Sequence, residues 1–179
     1  ILATQTVEAA IGRLTTDILV SSDPHGNLVP RLARVVPSRA NGGISADGLT
    51  ITYHLRSGVR WQDGAPFTSR DVKFTWQAIM SDANDVNSRN GYERVASVDT
   101  PNATTVVFRL RAPYAPFVDT VFAESDNPYC IIPAHLLAKY RDLNHVPFNE
   151  LPIGTGAFRV VRWVRGDHID LVANDDYFR

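Results

Sequence analysis

The chain has 179 residues, a formal net charge of −1, 44% hydrophobic and 21% charged residues. That is enough chain for one domain or two small ones, burying roughly 70% of the unfolded surface. The near-zero charge removes the electrostatic case for nucleic acid or an anionic membrane as partner, and no apolar run approaches the ~18 residues of a membrane-spanning helix.

Val7, Ile11, Leu14 and Ile18 recur at helical spacing, so about the first sixteen residues read as an amphipathic helix, weakened modestly by Gly12. Ile18–Val20 and Leu28–Val29 flank the turn sequence Asp23-Pro-His-Gly26 and predict a short hairpin. Asn41-Gly-Gly43 and Asp47-Gly48 are turns. Leu49, Ile51, Tyr53 and Leu55 then alternate with Thr50, Thr52, His54 and Arg56, as in a strand with one buried face.

Ser57-Gly58 turns the chain into a second short strand at Val59–Trp61, and Asp63-Gly64 turns it again. Thr68 is an N-cap with Asp71 three residues on, and Phe67 with Val72 would form a hydrophobic staple. The helix that follows should bury Val72, Trp76, Ile79 and Met80. Residues 81–91 are polar and turn-rich, hence a surface loop. Val95–Asp99 and Thr105–Leu110 read as strands around Pro101–Thr104. Pro113 to Pro116 opens a short helix at Phe117–Phe122, and Pro133 suits the first turn of another containing Leu136, Leu137 and Tyr140. Ala157–Val164 and His168–Ala173 form a closing hairpin around residues 165–167.

No catalytic constellation emerges from these segments. The five histidines, at 25, 54, 135, 145 and 168, lack metal-binding spacing. The single cysteine, Cys130, excludes an internal disulfide and a thiolate metal cluster; without a basic neighbour it reads as a small buried hydrophobe. Gly154-Thr-Gly156 lacks the third glycine and the Lys-Ser/Thr of a phosphate loop and runs into a strand, so nucleotide binding is rejected. The carboxylates read as turn, cap and solvated residues, and the sequon Asn102-Ala-Thr104 adds little. No cofactor and no metal site are expected.

The run Tyr53–Phe74, YHLRSGVRWQDGAPFTSRDVKF, closely resembles the signature of extracytoplasmic solute-binding proteins of the oligopeptide/dipeptide/nickel class, family 5. Three further stretches resemble that family in the expected order: Asp23–Ala33, Val95–Asp99 with Thr105–Leu110, and Pro152–Phe158 through Asn174–Phe178. Ala157 and Phe158 stand where the family favours proline and tyrosine, and Asp175 where it favours asparagine-proline; these changes conserve shape. Family members run much longer, and the matched motifs all lie in their amino-terminal part.

The resemblance implies an α+β fold: a mixed or antiparallel sheet with helices packed on one side, forming one incomplete lobe of a two-lobed, type II periplasmic-binding-protein-like architecture. Residues 1–150 would be a helix-and-hairpin subdomain of the first lobe and 151–179 the start of the hinge-side sheet, with the second lobe outside this chain. Ile1 in place of Met, and the lack of an export signal, agree with a removed leader or a start inside a longer gene.

The implied function is that of the solute receptor of an ABC importer, carrying a peptide or other small solute to a membrane permease in the periplasm or extracytoplasmic space, with a lipid anchor as one way of holding it there. The alternative is the ligand-sensing domain of a transcription regulator that shares the lobe. An enzyme would need a clustered nucleophile or base, and none is visible. Ligand groups favour irregular loops carrying aromatic and polar side chains together. The expected ligand-binding residues are therefore Asn90, Tyr92, Asp126, Asn127 and Tyr129. Trp61, Phe67, Phe74 and Trp76 are expected in the core. Without its partner lobe the chain should expose an apolar strip of roughly 600–1,500 Å², inviting self-association.

Overall fold

The computed structural model describes residues 6–124, 129–164 and 166–179. The amphipathic stretch at the start forms α1 (Thr6–Thr15) and leads into the hairpin β1 (Val20–Ser22) and β2 (Leu28–Pro30). The Asp23 carboxylate closes the intervening turn by accepting the His25 and Asn27 N–H groups at 2.8 Å, and Gly26 supplies the left-handed backbone at φ 83°.

The core sheet is three-stranded and antiparallel, in the order β3 (Thr50–His54), β5 (Thr105–Leu110), β4 (Val95–Asn102). Ile51 lies opposite Phe108 and Tyr53 opposite Val106, so the buried residues of both strands share one face. The helix α2 (Ser69–Met80) packs on β4 and β5. Its start is the expected capping box: Thr68 Oγ1 accepts from the Arg70 N–H, and the Asp71 carboxylate accepts the Thr68 N–H at 2.7 Å. Phe67 and Val72 are both buried in the core, while Phe74 and Trp76 are half-buried against it.

The inner face of α2 is more polar than its apolar spacing suggests. Asp71 and Thr75 are buried. Asp71 Oδ1 accepts the Ala134 N–H at 2.9 Å, and Thr75 Oγ1 accepts the Ile132 N–H at 3.0 Å. These bonds hold the run 129–133 and the one-turn helix α4 (Ala134–Leu137) against α2.

Three expectations are corrected. Val59–Trp61 is not a strand: Gly58 and Gly64, both at positive φ, close a tight loop in which Trp61 N–H donates to Ala65 O and Phe67 N–H to Val59 O. Arg60 faces Pro66 in a single antiparallel bridge within the loop. The helix opened by Pro116, α3 (Phe117–Thr120), stops before Phe122, because Phe122 adopts φ 53°. Its carbonyl is taken by the Leu19 and Val20 N–H groups, and Val20 forms a parallel bridge with Ala123. Finally, α4 ends at Leu137, leaving Tyr140 exposed beyond it.

The chain closes with the separate two-stranded hairpin β6 (Phe158–Val164) and β7 (His168–Ala173). Its pairing is interrupted by a bulge between Val160 and Arg162. The extra residue restores parity, so Phe158, Val160 and Trp163 share a face with Ala173, Leu171 and Ile169. Among the described residues no helix is long and apolar enough to cross a membrane.

Candidate functional site

A cavity of about 910 Å³ lies within the volume range of small-molecule sites. One wall is the end of α1 and the segment after it, from Ile11 to Ile18. A second is formed by residues of the loop Asn144–Ile153 with Trp163 of β6, and Cys130, Ile131 and Ile132 add to the lining. The apolar lining carries a charged set: Arg13, Asp17, Arg31, Glu124 and Glu150.

Two of these charges are fixed by partners that the fold brings from far along the chain. Asp17 is buried; its Oδ1 accepts from Arg31 Nε at 2.8 Å and its Oδ2 from the Tyr177 hydroxyl at 3.2 Å. Arg31 Nη2 in turn reaches Tyr177 Oη at 3.3 Å. Burial lifts the Asp17 carboxyl above its usual range, and the Arg31 charge offsets only part of that. Glu124 behaves in the opposite way. The Ser21 hydroxyl donates to its Oε2, which holds its carboxyl below the usual range, and Arg13 Nη1 stands 3.9 Å from its Oε1.

Burial pushes the Cys130 thiol up to about 11, so it is a thiol and not a thiolate at neutral pH. The Ser21 hydroxyl is committed as a donor to the Glu124 carboxylate. Among the described residues no group of three or more His, Cys, Asp or Glu side chains is placed to hold a metal.

Of the five residues expected to bind ligand, Tyr129 lines this cavity. It is 5% exposed, and its hydroxyl is engaged with the N–H and C=O of Ser88, each at 2.8 Å. Tyr92 is 2% exposed in the aromatic core, edge-on to Phe122 and Tyr129, and its hydroxyl accepts the Phe122 N–H at 2.9 Å. Asn90 is exposed in the loop before Tyr92, away from the cavity lining. Asp126 and Asn127 lie outside the described residues. The charged residues at the cavity went unread in the sequence because their pairings, Asp17 with Tyr177 and Ser21 with Glu124, span more than a hundred residues and leave no local pattern.

The sequence model for bacterial extracellular solute-binding proteins, family 5 middle, matches residues 27–179. Protein XP55 of Streptomyces lividans is 34% identical over 162 residues, which are 90% of this chain and 28% of that protein. The oligopeptide-binding protein AppA of Bacillus subtilis, solved in complex with a nonapeptide, superposes with a TM-score of 0.87 at 28% identity, over 99% of this chain and 34% of its own. NikZ of Campylobacter jejuni, solved in complex with Ni(L-His), gives a TM-score of 0.85 at 30% identity, over 99% of this chain and 33% of its own.

The chain thus spans 28–34% of the length of these relatives. Its helices and antiparallel sheets form part of one lobe of the type II periplasmic-binding-protein-like fold. With the family pattern running from residue 27 to residue 179, the chain belongs to the family 5 bacterial extracellular solute-binding proteins.

Proposed function

We propose that this chain supplies one lobe's share of a solute cleft in the extracytoplasmic receptor of an ABC importer, that the solute is a peptide, and that the closed receptor delivers it to a membrane permease. The observation that carries this reading is the 910 Å³ cavity with internally satisfied charge pairs on an apolar lining. Groups held in this way offer fixed dipoles to a polar ligand at little reorganisation cost. The receptor role involves no bond breaking. Hinge closure would come from contacts on both lobes, since a ligand shifts an open–closed equilibrium only by its differential affinity for the two states.

The residues expected from the sequence keep distinct places in this proposal. Tyr129 contributes a ring wall, Tyr92 holds the core behind it, and Asn90, Asp126 and Asn127 remain candidates for ligand contact. Residues 151–179 act as the hinge-side segment beside the 1–150 body. Leu14, Leu151 and Phe158 are 44%, 48% and 39% exposed, which supports self-association of the isolated chain.

Titration of the 179-residue chain with mixed di- to pentapeptides, followed by amide chemical shifts, tests the reading. Weak, millimolar-range shifts at cavity residues are expected. Micromolar or tighter affinity would overturn the half-cleft, and shifts confined to other surfaces would overturn the cavity assignment.

A further inference from the structure

We infer that Gln62, which does not itself line the cavity, is a positioning residue that helps set the spacing of the two cavity walls, a role that rests on the cavity being the solute site. Gln62 sits in the tight loop between Gly58 and Gly64, with its backbone fixed by Trp61, whose N–H bonds Ala65 O and whose carbonyl accepts the Gly64 N–H, both at 2.8 Å. From that anchor it makes four bonds to two other segments. Its backbone N–H donates to Gly154 O at 3.1 Å, and its Oε1 accepts the Gly154 N–H at 2.9 Å. Its Nε2 donates to Phe158 O at 2.8 Å and to Thr15 O at 3.3 Å.

Thr15 ends α1, so its carbonyl has no partner within the helix. It is satisfied from outside, by the Gly156 N–H at 3.0 Å and by Gln62. The approach is closer than any side chain would permit. A Cβ placed on Gly154 would stand 1.9 Å from Thr15 O, and one on Gly156 would stand 2.5 Å from Thr15 C. The glycine pair set aside as a phosphate loop is therefore a helix-end contact, and Gln62 is the bolt through it.

The geometry links this joint to the site. Thr15 belongs to one cavity wall, while Pro152 and Ile153, immediately before Gly154, belong to the other. Both walls are tied to Gln62, whose side chain braces the direct Gly156–Thr15 bond and so helps fix the gap between them. A glutamine in an exposed-looking turn has no such role written in its local sequence.

Dipolar EPR between spin labels at Leu14→Cys and Leu151→Cys, in a Cys130→Ala background, reads the gap, since both positions are exposed, at 44% and 48%, and adjoin the lining residues Thr15 and Pro152. A control pair at Leu14→Cys and Val35→Cys reads the rest of the fold. Gln62→Met keeps the length and removes the hydrogen bonds. The 14–151 distance distribution is expected to broaden or shift while the 14–35 distribution holds. An unchanged 14–151 distribution, or equal changes in both, would overturn the role.

A measurement on the unmodified chain guards against a variant that fails to fold. The Gln62 side-chain amide protons should exchange at least about tenfold slower than those of an exposed glutamine, and free exchange would overturn the clamp. Neither readout uses a ligand, so a negative peptide titration leaves both standing.

Discussion

Two tyrosines of the core invite the same substitution and opposite results. Tyr92→Phe removes a hydroxyl that accepts the Phe122 N–H at 2.9 Å. Phe122 is fully buried and holds φ 53°, a left-handed conformation costing of order 1–3 kcal/mol for a bulky residue, maintained only because its surroundings over-determine it. Losing the acceptor strands a buried N–H, which costs about 1–3 kcal/mol. Tyr53→Phe removes a hydroxyl that is equally buried and meets no hydrogen-bond partner among the described residues. Its removal should be neutral or stabilise by up to ~1 kcal/mol.

Urea unfolding followed by tryptophan fluorescence measures both changes as midpoint shifts at constant slope. We expect Tyr92→Phe to lose about 2 kcal/mol, seen in a thermal scan as a fall of roughly 4–8 °C, and Tyr53→Phe to lose nothing. The burial that lifts both phenols well above their usual range keeps them neutral throughout, so pH does not confuse the comparison. Equal effects from the two variants, or a Tyr92→Phe within about 0.5 kcal/mol of the parent, would refute the reasoning.

Gly154→Ala should cost at least about 3 kcal/mol or abolish folding, because its Cβ would meet the Thr15 carbonyl oxygen at 1.9 Å; a variant with unchanged urea midpoint would contradict this close approach. Arg31→Ala leaves the buried Asp17 carboxylate with only Tyr177 and should cost about 3 kcal/mol at neutral pH. Asp17 has a raised folded pKa, so its penalty is absent below its unfolded value of 3.8 and grows as pH rises through the folded one. The gap between Arg31→Ala and the parent should accordingly narrow toward pH 4, measured by midpoints across a pH series. Glu124 has the opposite sign: its contribution is full above 4.5 and is lost as pH falls through its depressed folded pKa. Glu124→Gln should flatten part of the parent's acid destabilisation, and an identical pH profile would refute the Ser21 bond as its source.

Local chemistry in this chain wrote itself into the sequence well. Thr68 with Asp71, the Asp23–Gly26 turn, and the alternation of β3 and β5 each act over fewer than eight residues, and each forms as expected. Val59–Trp61 misled because its apolar spacing suits a strand, while the glycines on either side turn it back on Ala65–Phe67, where it forms a single bridge and no ladder. Phe122 misled because nothing in Phe-Val-Asp-Thr-Val-Phe announces a left-handed residue; the Tyr92 hydroxyl and the β1 amides impose it from a distance. At the site the difficulty was of the same kind. Tyr92 and Tyr129 were legible as aromatic residues beside polar loops, but their hydroxyls are spent on Phe122 and Ser88. Asp17, Glu124 and Gln62 became visible only once distant segments met.

The bulge at Val161 gives the last hairpin one residue to spare. Excising that single residue would leave an unbroken ladder that looks, on paper, like tidier pairing. It would also leave Trp163 opposite Ile169 and Val164 opposite His168, so the indole would keep the face it shares with Val160 and Leu171. A one-residue deletion here should therefore be milder than one in β3, whose ladder with β5 carries no extra residue to absorb the shift.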